Sequence, residues 1–366
     1  MKENRYLAKD SPDAFEHERL ALLTQFTDPI TTRRLTDLGV GPGWRCLDVA
    51  AGNGSVARWL ASRVGREGRV VATDLNPRFL AGHGLPNLEV RRHNILEDEL
   101  EAADFDLVHC RALLMHLPDP IRALGRLLNA VRPGGWLLIE EADGSGSFGA
   151  ADPGHPRAAG FNRRSRAVWT ALKAAGIMDL DFGRRLPPLF DELGVRDLGN
   201  EGVALAARGR DPLAQFLQMT DELIRERLIA AGVLTERDFD ELAQAYDDRS
   251  FWFVNFTLFA VWGRRAGGNG EDVARAQHGH LLAGPDRELP FQDIELLRVA
   301  VVPVQGTLEA GVAAALDQVV TARGVPVVGV DGEPCAEQPV GPRHRLPPFS
   351  LRKCQPGRRP QAPKSV

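Results

Sequence analysis

Between residues 44 and 143 short apolar runs alternate with amphipathic stretches, and this alternation restricts the fold more than any other feature of the chain. The runs at 45–50, 69–73, 88–92, 106–110 and 136–140 have the length and β-branched content of buried strands. Between the first two, Val56, Trp59, Leu60 and Val64 recur at helical spacing. Strands alternating with helices imply a parallel sheet covered on both faces. Two later segments, 195–205 and 251–264, add strand candidates; the second reads FWFVNFTLFAVWG. The expected fold class is therefore α/β, a seven-stranded, mostly parallel sheet with helices on both faces.

The flanks differ. In 1–43, Phe15, Leu20, Leu22, Leu23 and Phe26 form an apolar stripe, and Asp28-Pro29 reads as the N-cap and first position of a second helix, giving an N-terminal helical cap. Residues 144–165 are rich in Gly, Pro and Ala and read as a loop, followed by helical patterns at 166–175, 212–231 and 236–246. After Arg265, Ala-Gly-Gly-Asn-Gly reads as a break between the main domain, 44–265, and a C-terminal appendage. The appendage divides into a small αβ-like extension, 266–333, and a tail, 334–366, whose seven Lys/Arg, one acid and many prolines predict disorder.

Composition limits function. Forty-five Lys+Arg against 49 Asp+Glu leave a net charge of −4, so nothing resembles the basic field of a nucleic-acid binder. No apolar run reaches membrane-spanning length, and the charged N-terminus lacks the apolar core of a secretory signal. Cys46, Cys110, Cys335 and Cys354 form no CxxC pair, so neither a disulfide framework nor a metal site is expected. These features predict a soluble, cytoplasmic protein.

The chemistry concentrates in Cys46-Leu47-Asp48-Val49-Ala50-Ala51-Gly52-Asn53-Gly54-Ser55. A strand ends on an acid and enters a glycine turn that opens a helix, so backbone can approach a ligand closely and the helix N-terminus favours an anionic group. Gly52-x-Gly54-x-x-Ala57 also satisfies the dinucleotide fingerprint. Asp48 is not required by that fingerprint and suits a ligand with an amino group beside its carboxylate, as in S-adenosylmethionine. Asp74, twenty residues after Gly54, ends the second strand, where an acid can accept hydrogen bonds from ribose hydroxyls. Both NAD and S-adenosylmethionine remain open at this point.

The next motifs are Arg91-Arg92-His93-Asn94-Ile95, Phe105-Asp106-Leu107-Val108-His109-Cys110-Arg111, Met115-His116-Leu117-Pro118-Asp119-Pro120 and Val131-Arg132-Pro133-Gly134-Gly135-Trp136. With them the chain, from residue 1 to about 265, resembles the class I S-adenosylmethionine-dependent methyltransferases. The likeness is to the small-molecule group of ubiquinone and menaquinone biosynthesis and natural-product tailoring enzymes. The resemblance implies a Rossmann-like sheet, S-adenosylmethionine as cofactor and a small-molecule acceptor methylated at O, N or C. It implies that Asp48, Ala50, Gly52 and Gly54 surround the methionine end, Asp74 and Leu75 the ribose and one adenine face, and Ile95 the adenine. Asn94 stands where the family has an aspartate facing the adenine amino group, and Ala50 where most relatives have the first glycine. The Cys110–Arg111 backbone would lie under the sulfonium. A cofactor-binding protein without methyl transfer, a regulator or a cyclase, is the alternative function; an NAD-dependent oxidoreductase is the third.

Several residues are further candidates. His116, at the mouth of the expected site, is the candidate general base, with an unperturbed pKa of about 6.5. His93 and His109 are expected to be structural. Among Glu140, Glu141 and Asp143, one can orient a substrate hydroxyl while at least two are expected to be solvated. Arg19 is a candidate for the cofactor carboxylate or plain surface charge. The resemblance makes 155–250 a helical cover, whose Phe161, Trp169, Met178, Phe182 and Phe216 are candidate acceptor-pocket or core residues.

Overall fold

The computed structural model describes residues 8, 11–80, 82–144, 148–267 and 299–303. The rest of the expected extension, 268–298 and 304–333, and the Pro/Arg-rich tail, lie outside these residues.

Five strands, β1 (Arg45–Val49), β2 (Arg69–Asp74), β3 (Leu88–Arg92), β4 (Phe105–Arg111) and β5 (Val131–Asp143), pair in parallel in the order β3-β2-β1-β4-β5. The chain winds outward from β1 to β3, then returns to place β4 on the other side of β1. Strand order thus reverses at β1/β4, the crevice where open α/β sheets bind ligands. The antiparallel strands β7 (Arg196–Arg208) and β8 (Trp252–Arg264) complete the seven expected strands, with β8 inserted between β5 and β7. Two short strands raise the sheet to nine. β6 (Gly149–Ala150) pairs with β8, and β9 (Val299–Pro303) pairs in parallel with β7, so part of the segment expected as a separate extension forms a sheet edge.

The period of two sorts the strand residues onto two apolar faces. Cys46, Val70, Leu107 and Leu138 pack with Leu60 and Val64 of α2 (Ser55–Val64). Leu47, Val71, Val108 and Ile139 pack on the other face with Leu124 and Leu127 of α3 (Pro120–Ala130), and with Leu186 and Phe190 of a short helix after it. Both faces being covered explains why these strands read as continuous apolar runs.

The N-terminal cap differs from expectation. It is one helix, α1 (Asp13–Asp37), with Pro29 inside it. Proline lacks an N–H and crowds the preceding turn, costing about 3 kcal/mol in a helix interior. Buried anchors on both sides offset this cost: Phe26 and Ile30 enter the cover core, while Thr31 and Arg34 bond Glu140 on β5. The cover consists of α4 (Ala158–Ala174), α6 (Pro212–Ala230) and α7 (Glu236–Asp247), the short helix before β7 being α5 (Leu186–Glu192). α4 begins eight residues earlier than its apolar pattern suggested. Phe161, Tyr246, Phe251 and Phe253 tie α4, α7 and β8 together, with ring centroids 4.9–6.0 Å apart. No helix among the described residues is long and apolar enough to cross a membrane.

Candidate active site at the strand-order reversal

The turn after β1 follows a left-handed path at Ala50 (φ 57°), Gly52 (φ 57°) and Gly54 (φ 76°). At Gly52 the requirement is backbone conformation, since an added Cβ would meet nothing closer than Leu20 at 3.9 Å. At Gly54 it is also space: a Cβ would lie 2.4 Å from Leu80 Cδ2. Ala50 adopts the same conformation with a Cβ, at a cost of about 1–2 kcal/mol. Asn53 Oδ1 accepts the Ser55 N–H (3.2 Å), and α2 starts there.

Behind this turn runs a buried chain of charges. Asp48 on β1 and His109 on β4 are register partners, and His109 Nδ1 lies 2.7 Å from Asp48 Oδ1. His109 Nε2 lies 3.4 Å from Glu140 Oε2. Glu140 also accepts from Thr31 and Arg34, and Arg34 continues to Glu201. Burial opposes charge at His109, but hydrogen bonds to Asp48 and Glu140 outweigh it and push the imidazole up to about 9. Burial likewise opposes the Glu140 charge, and His109 and Arg34 overcome it, holding this carboxyl down at about 2. An imidazolium between two carboxylates therefore fixes Asp48. The other Asp48 oxygen, Oδ2, is buried without a hydrogen-bond partner.

The three acids at the end of β5 correct the expectation of solvated side chains: Glu140, Glu141 and Asp143 are all buried. Each has a structural occupation. Glu140 belongs to the charge chain. Glu141 accepts the backbone N–H groups of Leu113 (2.9 Å) and Leu114 (2.6 Å), and burial raises its carboxyl to about 7. Asp143 pairs with Arg184 through both oxygens, at 2.5 and 2.9 Å.

A cavity of about 810 Å³ opens over the reversal and extends under the cover. Its wall includes Asp48, Ala50, Gly52, Asp74, Leu75, Asn94, Ile95 and Arg111. Two expected residues are not on that wall. Gly54 is enclosed by its packing against Leu80, and Cys110 is fully buried in the β4 core, where burial raises its thiol well above the usual range. Asp74 accepts the N–H of Gly52 (3.0 Å) and of Asn76 (2.8 Å), so it shapes the turn it faces. Burial raises its carboxyl, against those two bonds. Leu75 is 39% exposed, large and apolar at the rim. Asn94 Oδ1 accepts the Leu96 N–H (3.0 Å) in a local turn. Arg111 donates to Thr31 and Asp28, both at 2.8 Å, holding α1 against β4.

His116 ends a 3-10 turn after β4 and lines the cavity. Burial lowers it to about 4, against a backbone hydrogen bond at Ile177. It is neutral at pH 7 but a weaker base than its type suggests. Arg19 is not surface charge: it is buried, bonds both oxygens of Glu16 (2.8 and 2.9 Å), reaches Thr220, and lines the cavity. His93 is buried next to Asn94 and Ile95 in the chain, with burial lowering its pKa. Of the aromatic and Met candidates, Trp169, Met178 and Phe216 line the cavity, whereas Phe161 and Phe182 are core.

Sequence reasoning passed over Asp221, Tyr246 and Asn255, which also line the cavity. A signal existed: Leu213, Leu217, Ile224 and Leu228 form the buried stripe of α6, and Asp221 interrupts it. Among the described residues no group of His, Cys, Asp and Glu could hold a metal ion.

Residues 8–195 match the family model of the methyltransferase domain. The chain is 33% identical over 191 residues to methyltransferase str2 of Strobilurus tenacellus, a match covering 50% of this chain and 66% of that protein. It is 32% identical over 177 residues to the ubiquinone/menaquinone biosynthesis C-methyltransferase UbiE of Laribacter hongkongensis, covering 44% and 59%. The matches thus span less than two thirds of those relatives' own lengths. Among solved structures, a phosphoethanolamine N-methyltransferase 2 of Haemonchus contortus with S-adenosylhomocysteine aligns at 18% identity, covering 68% of this chain and 52% of that one, with a TM-score of 0.40. The family match runs through β1, the glycine turn, Asp74 and β4, which removes the dinucleotide reading of Gly52-x-Gly54. With a parallel sheet that reverses at β1/β4, an acid poised below the turn and a model match over half its length, the chain belongs to the methyltransferase-domain family.

Proposed function

We propose that the protein transfers a methyl group from S-adenosylmethionine to an O, N or C nucleophile of a small-molecule acceptor, in secondary metabolism or quinone biosynthesis. The observation that carries this reading is Asp48 Oδ2, a buried carboxylate oxygen on the cavity wall with no protein partner. Leaving such an acceptor unsatisfied costs about 1–3 kcal/mol, which a ligand ammonium would relieve.

The residues present fit the cofactor. Asp48 would take its amino group, the left-handed turn at Ala50–Gly52 its methionine end, Asp74 its ribose hydroxyls, and Leu75 with Ile95 its adenine. The Asn94 amide already serves Leu96, so its bond to adenine would be shared and uncharged. The Arg111 backbone would lie under the sulfonium, and Gly54 would act through the turn. Bound there, the cofactor supplies a methyl group on a positively charged sulfur, already activated toward a nucleophile.

The chain's own task is then alignment and exclusion of water. Proximity and orientation can supply roughly 7–11 kcal/mol of such a barrier in the best cases. The apolar wall of Trp169, Met178, Leu180 and Phe216 suits an acceptor with an aromatic or aliphatic body. His116, neutral at pH 7, offers a hydrogen bond that orients an acceptor hydroxyl or amine. As a proton acceptor it is weakened by burial.

Incubation with S-adenosylmethionine carrying a radiolabelled methyl group, against phenolic, amine and quinol acceptors, tests the proposal. Transfer of label into an acceptor is expected. Tight S-adenosylhomocysteine binding with no label leaving the cofactor pool would favour the regulator or cyclase reading.

A further inference from the structure

The inner half of the cavity lies between α4, α6, α7 and β8 and is almost wholly apolar, walled by Trp169, Leu172, Phe216, Leu217, Ile224 and Phe256. Three polar atoms there are buried without a hydrogen-bond partner: Ser165 Oγ on α4, Asp221 Oδ2 on α6 and Asn255 Oδ1 on β8. Asn255 is 2% exposed. The Tyr246 hydroxyl, from α7, is engaged by Asp221. Four elements therefore deliver polar groups to the wall of one apolar chamber, and the two acceptor oxygens, Asp221 Oδ2 and Asn255 Oδ1, lack donors.

Asp221 also lacks a compensating cation. Among the described residues it has no ion pair. Arg225, one turn further along α6, is held by Glu236 (2.6 Å) and Asp240 (3.0 Å). Arg19 is neutralised by Glu16 and lies over the Phe216 ring at 5.1 Å. Burial accordingly raises the Asp221 carboxyl to about 7, against the hydrogen bond from Tyr246, the response expected of an acid without a cation in an apolar site. A neutral hydroxyl on a ligand would supply a donor but no charge. An ammonium would supply both, and Trp169, Phe216 and Tyr246 would offer it aromatic faces.

We propose that Asp221 and Asn255 form an anchoring subsite for a positively charged amine, carried by an acceptor whose body is otherwise aromatic or aliphatic. The inference rests on the reading above, that this cavity receives the acceptor. It goes further by assigning the acceptor class and two specificity-determining residues. Both lie beyond residues 8–195, so they are features of this chain's cover and not of the matched domain.

The test uses the full-length protein saturated with S-adenosylhomocysteine, which occupies the Asp48 and Asp74 side and leaves the inner chamber open. Calorimetry with three probes of one shape, 4-phenylbutylamine, 4-phenylbutanol and pentylbenzene, separates charge from hydrogen bonding and from apolar fit. The amine should bind at least about tenfold tighter than the other two. Asp221→Asn should abolish that advantage while leaving S-adenosylhomocysteine affinity and alcohol binding within about threefold. Asn255→Leu should weaken the amine without removing its preference over the hydrocarbon. Equal binding of the three probes, binding of none, or an amine advantage that survives Asp221→Asn would overturn the subsite. Failure of the wild-type protein to bind S-adenosylhomocysteine would overturn the methyltransferase reading, and the subsite with it.

Discussion

Asp48 and His109 face each other across the β1/β4 reversal, 2.7 Å apart, so the acid proposed to take the cofactor's amino group is positioned by a buried imidazolium and not by the turn alone. His109→Leu would leave Asp48 and Glu140 as buried charges short of a partner, a loss on the order of 3–5 kcal/mol in unfolding free energy. The pH dependence has a definite sign. His109 has a folded pKa of about 9, above its unfolded value, so its contribution is complete below about pH 6.5 and disappears as pH rises through 9. Urea unfolding at pH 6 and pH 9.5 should show this alkaline loss in the wild type and not in the variant. Parallel pH curves for the two proteins would contradict the assignment.

Ala50 provides a stability test with the opposite direction. At φ 57° its Cβ is strained, and glycine adopts the same conformation freely. Ala50→Gly should raise stability by about 1 kcal/mol and Tm by about 2–4 °C. The methyl group at this position is then a tolerated strain. An unchanged or lowered Tm would mean that the methyl group packs favourably enough to offset it.

His116 should stay neutral well into the acid range. Because burial lowers its folded pKa to about 4, folding stability should fall as pH drops from about 6.5 toward 4, and His116→Gln should remove that part of the slope. NMR of ring-labelled histidine should place its midpoint below 5. A midpoint near 6.5 would restore His116 as a general base of ordinary strength.

The five parallel strands, the glycine turn and the acids at 48 and 74 were legible because they are local: a period, a run length and a φ requirement written within a few residues. What escaped depends on partners distant in sequence. Pro29 looks like a helix start, and only the anchoring of Thr31 and Arg34 on Glu140 keeps α1 continuous. Glu140 and Glu141 read as edge acids, yet β8 pairs alongside them, placing Ala260 and Phe259 opposite, and both are buried. The start of α4 lacks a capping side chain and follows a Gly/Pro-rich stretch, so nothing local announces it. Asp221 was legible as a break in the α6 stripe, but its meaning required seeing Tyr246 and Asn255 on the same cavity wall.

Titration calorimetry of S-adenosylhomocysteine and of NAD into the wild-type protein, Asp48→Asn and Asp74→Ala tests the central claim most directly. The wild type should bind S-adenosylhomocysteine at one site and show no heat with NAD. Asp48→Asn should weaken that binding by about ten- to hundredfold, the worth of a charged hydrogen bond. Asp74→Ala should weaken it comparably and also lower stability, because the Gly52 and Asn76 N–H groups lose their acceptor. Wild-type affinity retained in both folded variants, or a preference for NAD, would contradict the account.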